Sequence, residues 1–363
     1  MWSAARDLER PRRPMSVSHG SLGLIGASRL ARATALSTKI AREEDGSPLR
    51  AQRHIAASRA YLSSTGVATV VLARSGEPPS VVVKLPLNES ASIRLAEEAA
   101  ALSAVHADRR LGHWRQLVPR ILAAGTYRGQ RYRMESAILG ESVTGLLAAP
   151  DARHRTLRSA LDVVAVLHEG TAQTIRGHPE LVRKWVDVHV CELIPHLGRE
   201  RRSTLALERI GAELGDLLAG ATFSAGRIHG DYWPGNLLFT GPNAPHRALA
   251  GVVDWDASAT PELPLHDVLH LLFYTRKLLT GRELGEIICQ QLLSGRWSGE
   301  ERALLARYPM WFHDGPLPGR HALLLYWLRQ AAMHTRQQGS QVGWRYRLWQ
   351  RRNVLPVLES LWA

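Results

Sequence analysis

The run from Ile228 to Phe239, IHGDYWPGNLLF in one-letter code, constrains this chain more than any other segment. Its glycines and proline break helix and strand alike, and apolar strand-forming residues flank it. Asp231 and Asn236 therefore share one loop, five positions apart, where a carboxylate and a carboxamide can be aimed into a common cleft. A second run, AGVVDWD over residues 250–256, is an apolar strand ending in the carboxylates Asp254 and Asp256. Phosphoryl transfer needs such groups. A carboxylate orients the attacking hydroxyl and accepts its proton, while hard oxygen donors hold a magnesium ion on the phosphates.

Upstream, Gly66–Ala73 and Ser80–Leu85 are valine-rich runs separated by Ser75-Gly76-Glu77-Pro78-Pro79, the pattern of two strands and a turn. The second run ends in Lys84, a lone lysine on an apolar strand, where an ammonium must meet an anion such as a nucleotide phosphate. A helix is predicted over Ser92–His106, with Ile93, Ala96, Ala100 and Ala104 spaced for one face. Within it Glu98 is the expected partner of Lys84, since Glu97 faces away by one helical step.

A further strand pair is expected at Val118–Thr126 and Arg131–Leu139, turning at Arg128-Gly129-Gln130. Beyond Gly140 the texture becomes helical. Thr156–Glu169 carries Leu157, Ala160, Leu161, Val164, Leu167 and His168 at helical spacing. Short strands return near 226–240 and 248–255, and towards the end Trp344, Leu348 and Trp349 are expected to form the buried face of an amphipathic helix. A strand-rich front third followed by a helical remainder gives an α+β chain.

In this order, the motifs resemble the aminoglycoside phosphotransferase and choline kinase-like family, relatives of the protein kinases. The resemblance rests on HGDxxxxN from His229 to Asn236, GVVDWD from Gly251 to Asp256, and LPLHD from Leu263 to Asp267. Lys84 and the EAAAL run from Glu98 to Leu102 complete it, over roughly Tyr61 to Leu272. It implies a bilobal protein-kinase-like fold, with a small β-rich N-terminal lobe and a larger, mostly helical C-terminal lobe. It also implies transfer of a γ-phosphoryl group from ATP or GTP to a hydroxyl of a small molecule. Carried over residue by residue, it makes Asp231 the catalytic base, Asn236 and Asp254 the Mg²⁺ ligands, and Lys84 with Glu98 the nucleotide-positioning pair. His229 and Asp267 resemble residues that brace the loop. The phosphate-covering segment Ser63-Ser64-Thr65-Gly66 departs from the glycine-rich loop of protein kinases, having one glycine and small hydroxyl residues. The expected division is a loosely ordered extension over 1–40, a nucleotide lobe over 41–138 and a catalytic lobe over 139–363.

With 363 residues the chain is long enough to bury the cores of two such lobes. A net charge of +13 would suit a polyanion, but the basic residues are dispersed and nearly all arginine, and no nucleic-acid-binding module accompanies them. No nucleic-acid partner is expected. Apolar runs fall short of a transmembrane span, and Cys191 and Cys289 form neither a disulfide framework nor a metal pattern, so a cytoplasmic location away from membranes is expected. Met15 offers an alternative start. Arg12-Arg13 before Ser21–Ile25 is similar to an export signal, but Arg29 and Arg32 interrupt its apolar core. Two rival readings are a catalytically silent nucleotide-binding module and a basic nucleic-acid-binding protein. From Ala259 onward, where much of the pocket wall is expected, basic residues outnumber carboxylates. A neutral or weakly charged acceptor, sugar-containing or nucleoside-like, is therefore expected over a polycationic aminoglycoside, whose ammonium groups need carboxylates once dehydrated.

Overall fold

The structure, a computed structural model, describes residues 24–63, 65–198, 201–241, 248–306, 319–338 and 343–361. Helix α1 (Leu24–Glu43) precedes five antiparallel strands, β1 (Ile55–Leu62), β2 (Val67–Arg74), β3 (Val81–Pro86), β4 (Ile121–Tyr127) and β5 (Gln130–Ser136). They pair in the order β1-β2-β3-β5-β4. At the β4–β5 turn Arg128 and Gly129 both have positive φ, 51° and 83°, the twist a two-residue hairpin requires. Alternation along β2 and β3 sends Val70, Leu72, Val81, Val83 and Leu85 to one face. There they pack with Met134 against Ala33, Ile40 and Ala41 of α1. Each fully buried aliphatic side chain contributes about 1.5–3 kcal/mol.

That packing corrects the expectation of a loosely ordered extension up to residue 40. From Leu24 onward the segment is a helix that covers the sheet, with Ile40 and Ala41 fully buried. Alanines allow the close approach, and an alanine stripe among arginines and serines does not announce itself as a core face. Residues 1–23, which include Met15 and the Arg12-Arg13 pair, lie outside the described residues.

Lys84 leaves the opposite face of β3, towards α2 (Glu89–Ala107), whose first turn is capped by the Asn88 side chain accepting from Ala91 N at 2.7 Å. The helix forms as expected but presents a different face. Ala91, Leu95, Glu98, Ala101, Leu102 and Val105 are buried, while Ala96 and Ala100 face water and Ile93 is 56% exposed. The large side chains Leu95, Leu102 and Val105 gain most from burial, so they set the face rather than the more numerous alanines.

The remainder is mainly helical. After β6 (Glu141–Ser142), α3 (Pro150–Gly170) buries Leu157, Ala160, Leu161, Val164, Leu167 and His168, the whole of the expected stripe. Next come β7 (Gln173–Arg176), α4 (Pro179–Val182), α5 (Val188–Leu193), α6 (Arg201–Leu218), β8 (Thr222–Ile228), β9 (Leu237–Phe239), β10 (Leu249–Val252) and β11 (Ala259–Glu262). The short strands form two small sheets, β10-β9-β6 and β11-β8-β7. Helices α7 (Leu265–Thr280), α8 (Leu284–Ser294), α9 (Gly299–Leu305), α10 (Gly319–Gln338), α11 (Trp344–Asn353) and α12 (Leu355–Glu359) close the fold. In α11 the buried side is Tyr346, Gln350 and Asn353, and of the expected residues Trp349 is half-buried against the core while Trp344 is 70% and Leu348 41% exposed. This corrects the expected face. Tyr346 bonds Thr335, Gln350 bonds His196 O and Asn353 bonds Gly285 N, so polar anchoring overrides the apolar count. No described helix is long and apolar enough to cross a membrane.

Candidate active site

The chain leaves β8 at Ile228 and re-enters a strand at Leu237, and the loop between is pinned from below by Asp267 near the start of α7. One Asp267 oxygen accepts from His229 N at 2.8 Å and from His168 Nε2 at 3.0 Å, and the other accepts from Gly230 N at 2.7 Å. Burial opposes the Asp267 charge, but these donors hold its carboxyl below the usual range. Gly230 has φ 85°, and a Cβ there would lie 2.0 Å from Ala257 O, so only glycine fits. Arg329 of α10 ties the same place down, donating to Gly230 O at 3.1 Å and Ala257 O at 3.0 Å. His229 is buried, which lowers its pKa. Its Nε2–H donates to Val253 O at 3.0 Å and its Nδ1 accepts from Asp231 N at 3.3 Å.

This scaffold presents Asp231. Its Oδ1 accepts from Nε2 of His270 at 2.9 Å, and its Oδ2 accepts from Asn236 Nδ2 at 3.0 Å, which also reaches Asp231 O at 2.9 Å. Burial works against the charge, yet the hydrogen bonds from His270 and Asn236 keep the carboxyl below its ordinary value. Asn236 spends its amide hydrogens on Asp231, and its carboxamide oxygen makes no hydrogen bond among the described residues.

Across the cleft, Lys84 lies 2.6 Å from Glu98 and 2.9 Å from Asp254, with Glu135 at 3.7 Å. Burial disfavours the ammonium, but the carboxylates of Asp254, Glu135 and Glu98 outweigh it and lift the lysine well above its usual pKa. Arg133, level with Lys84 on the neighbouring strand β5, bonds both Glu98 and Glu135. Glu98 is held down to about 2 against its burial by Lys84 and Arg133, whereas burial raises Glu135. Asp254 has φ 63°, a left-handed conformation that costs an aspartate about 1–3 kcal/mol. Lys84 and Glu98 are nearly sealed, with side chains 6% and 7% exposed, while Asp231 and Asp254 stay open at 32% and 41%. The two open carboxylates are the ones a ligand in the cleft can reach.

All five residues singled out in the sequence are thus held in two hydrogen-bonded groups, Lys84 with Glu98 and Asp254, and Asp231 with Asn236. Of the Ser63–Gly66 segment, Ser64 lies outside the described residues. Ser63 and Thr65 share a hydroxyl contact of 2.7 Å, and Ser63 Oγ accepts from Val67 N at 3.0 Å, so the hydroxyls shape the turn.

Sequence reasoning missed His270, Arg133, Glu135 and Arg329. The alternation Arg131, Arg133, Glu135 on one strand was a signal for a charged face. His270, inside an apolar helix, gave none. Asp256, given no role from the sequence, pairs with Arg94 of α2. Burial, helped by the charges of Glu98, Asp231 and Asp254, pushes its carboxyl up to about 7 although Arg94 opposes this.

Beside Asp231 opens a cavity of about 250 Å³, walled by Trp233, Tyr274, Lys277, Gln330, His334 and Trp349. It continues past Arg94 and Asp256 into a wider groove of about 870 Å³.

Residues 62–303 match the sequence model of the phosphotransferase enzyme family. No curated protein matches the chain. Among solved structures, the GDP complex of wild-type aminoglycoside 2'-phosphotransferase-IIIa aligns with a TM-score of 0.54 at 14% identity, covering 90% of this chain and 97% of that one. Aminoglycoside-3'-phosphotransferase of type VIII aligns with a TM-score of 0.46 at 19% identity, covering 76% and 92%. The antiparallel N-terminal sheet and helical C-terminal part make the α+β, protein-kinase-like fold of the 2'-phosphotransferase.

Proposed function

Because the chain belongs to the phosphotransferase enzyme family, we propose that it moves the γ-phosphoryl group of ATP or GTP to a hydroxyl of a small molecule, with Asp231 as the catalytic base. The observation that carries this reading is the Asp231 carboxylate itself, held ionised by His270 and Asn236 and open to a cavity of ligand-binding character. An acceptor hydroxyl in that cavity donates to Asp231. As its oxygen bonds to the γ-phosphorus, the bond from that phosphorus to the β–γ bridging oxygen breaks, the nucleoside diphosphate leaves, and the hydroxyl proton goes to the carboxylate.

The nucleotide is proposed to lie between an N-terminal lobe ending near residue 138 and the larger lobe. Lys84, directed by Glu98, meets its phosphates. Asp254 and the free oxygen of Asn236 are the residues that would hold Mg²⁺. The donor set fits that ion, which prefers oxygen and takes one or two carboxylates together with phosphates and water. The GDP bound by one solved protein of the same fold supports nucleotide use.

The test is Asp231→Asn in an assay of labelled-ATP transfer to hydroxylated metabolites and antibiotics. Turnover is expected to fall by about 10²–10⁴-fold, the contribution of a positioned base, with Mg-ATP affinity retained. Undiminished turnover would remove Asp231 from the chemistry.

A further inference from the structure

The cavity beside Asp231 differs from a site built for a polyamine in three respects. Its walls are aromatic: Trp233 and Tyr274 lie 5.8 Å apart on one part of the lining, and His334 stacks on Trp349 at 3.9 Å on another. Its charges are already spent. Arg94 pairs with Asp256 and Lys277 with Glu283 at 2.7 Å, which leaves Asp231, bonded to His270, as the lining carboxylate without an arginine or lysine partner. In the adjoining groove basic side chains outnumber carboxylates five to four. Its volume, about 250 Å³, lies just below the ~300–1,000 Å³ of sites for drug-sized ligands, room for one or two rings.

Two polar details sharpen this. The ammonium of Lys277 sits over the ring of Tyr274, 5.8 Å from its centroid, so the ring face that would otherwise attract a ligand cation is already used. Gln330 is 5% exposed, lines the cavity, and its amide nitrogen has no hydrogen-bond partner. A buried donor left unpaired is costly, and a ligand hydroxyl or carbonyl oxygen would satisfy it where an ammonium would not. His334 is consistent with a neutral wall: burial and the nearby charge of Lys277 bring its pKa down to about 4.

Resting on the phosphotransferase reading above, we infer that this cavity holds the acceptor and selects uncharged, hydroxyl-bearing compounds of one or two rings, Lys277 disfavouring ammonium-bearing alcohols by occupying both the Glu283 carboxylate and the face of Tyr274. The ring stacks on the aromatic wall, Gln330 donates to an oxygen of the ligand, and a hydroxyl reaches Asp231.

The experiment compares labelled-ATP transfer to neutral probes (methyl glycosides and pyrimidine nucleosides) with transfer to choline and kanamycin, alongside calorimetry of Mg-ATP binding. At least ten-fold higher kcat/KM on a neutral probe than on either cation is expected, and Lys277→Gln should shrink that ratio about ten-fold by raising kcat/KM for choline. Preference for choline or kanamycin overturns the acceptor class and leaves the phosphotransferase reading standing. So does transfer to none of the neutral probes while Mg-ATP is bound. An unchanged neutral-to-choline ratio in a folded Lys277→Gln protein overturns the part given to Lys277. Absence of Mg-ATP binding to the unaltered protein instead sinks the phosphotransferase reading itself.

Discussion

Nε2 of His270 lies 2.9 Å from Oδ1 of Asp231, while Nδ1 of the same ring lies 3.0 Å from the hydroxyl of Tyr326. In the neutral tautomer with its proton on Nε2, Tyr326 donates to the ring and the ring donates to the carboxylate, a relay that fixes the direction of Asp231. His270 is fully buried in α7, so it reaches the chemistry only through Asp231.

His270→Leu is therefore expected to lower kcat by about 10–10²-fold with little change in KM for ATP, since misplacement of a reacting group by about 1 Å costs up to that much. His270→Gln, which keeps a donor, should recover part of the loss. A purely structural role would move both variants' unfolding midpoints and leave the ratio of kcat to KM effects equal, which steady-state kinetics with thermal melts would reveal.

For Asp254, which touches Lys84 from the loop after β10, the expected result of Asp254→Ala is loss of activity and weaker Mg-nucleotide binding by about 10–100-fold. That is the equivalent of losing one charge-assisted contact worth ~1.5–3 kcal/mol. Titration calorimetry with and without Mg²⁺ checks it. An affinity that stays the same in Mg²⁺ would take Asp254 out of the metal site.

The buried cluster at Lys84 also predicts a pH response. Glu98 is ionised down to about 2 in the folded chain, against an ordinary glutamate near 4.5. A depressed folded pKa contributes stability that is fully present above the unfolded value and is lost as pH falls from about 4.5 towards 2. Glu135, raised by burial, works in the opposite sense and tempers the slope. Glu98→Gln should lose about 1.5–3 kcal/mol at neutral pH, because Lys84 and Arg133 lose one of the two carboxylates they share, and should show a shallower decline between pH 4.5 and 2.5. Urea unfolding at several pH values measures both. Parallel declines in variant and parent would refute the assignment.

Much of this could be read from the residues alone where geometry is local. The α3 stripe was legible because large aliphatic side chains recur at helical spacing, and Glu98 could be chosen over Glu97 because one helical step turns a side chain by about 100°. The faces of α2 and α11 were misread for opposite reasons. In α2 alanines outnumber the larger residues that decide burial, and in α11 tyrosine, glutamine and asparagine anchor the helix while Trp344 is left in water. Arg133, Glu135 and His270 enter the site through strand register and helix packing between segments far apart in the chain, information that no local pattern carries.

The family match begins at residue 62, the last residue of β1, yet the cover over the sheet begins at Leu24. The inherited module and the unit that folds are therefore bounded differently. A protein cut to residues 62–303 would keep the sequence motifs but lose Arg329, Tyr326 and the cavity wall at one end, and α1 with nearly all of β1 at the other, leaving Val70, Leu72, Val81, Val83 and Leu85 open to water. The strand that carries Lys84 would then have its apolar side unsealed, a sticky surface favouring association between copies over a well-formed cleft. Alignment alone would choose that cut. The packing of α1 argues for beginning no later than Leu24.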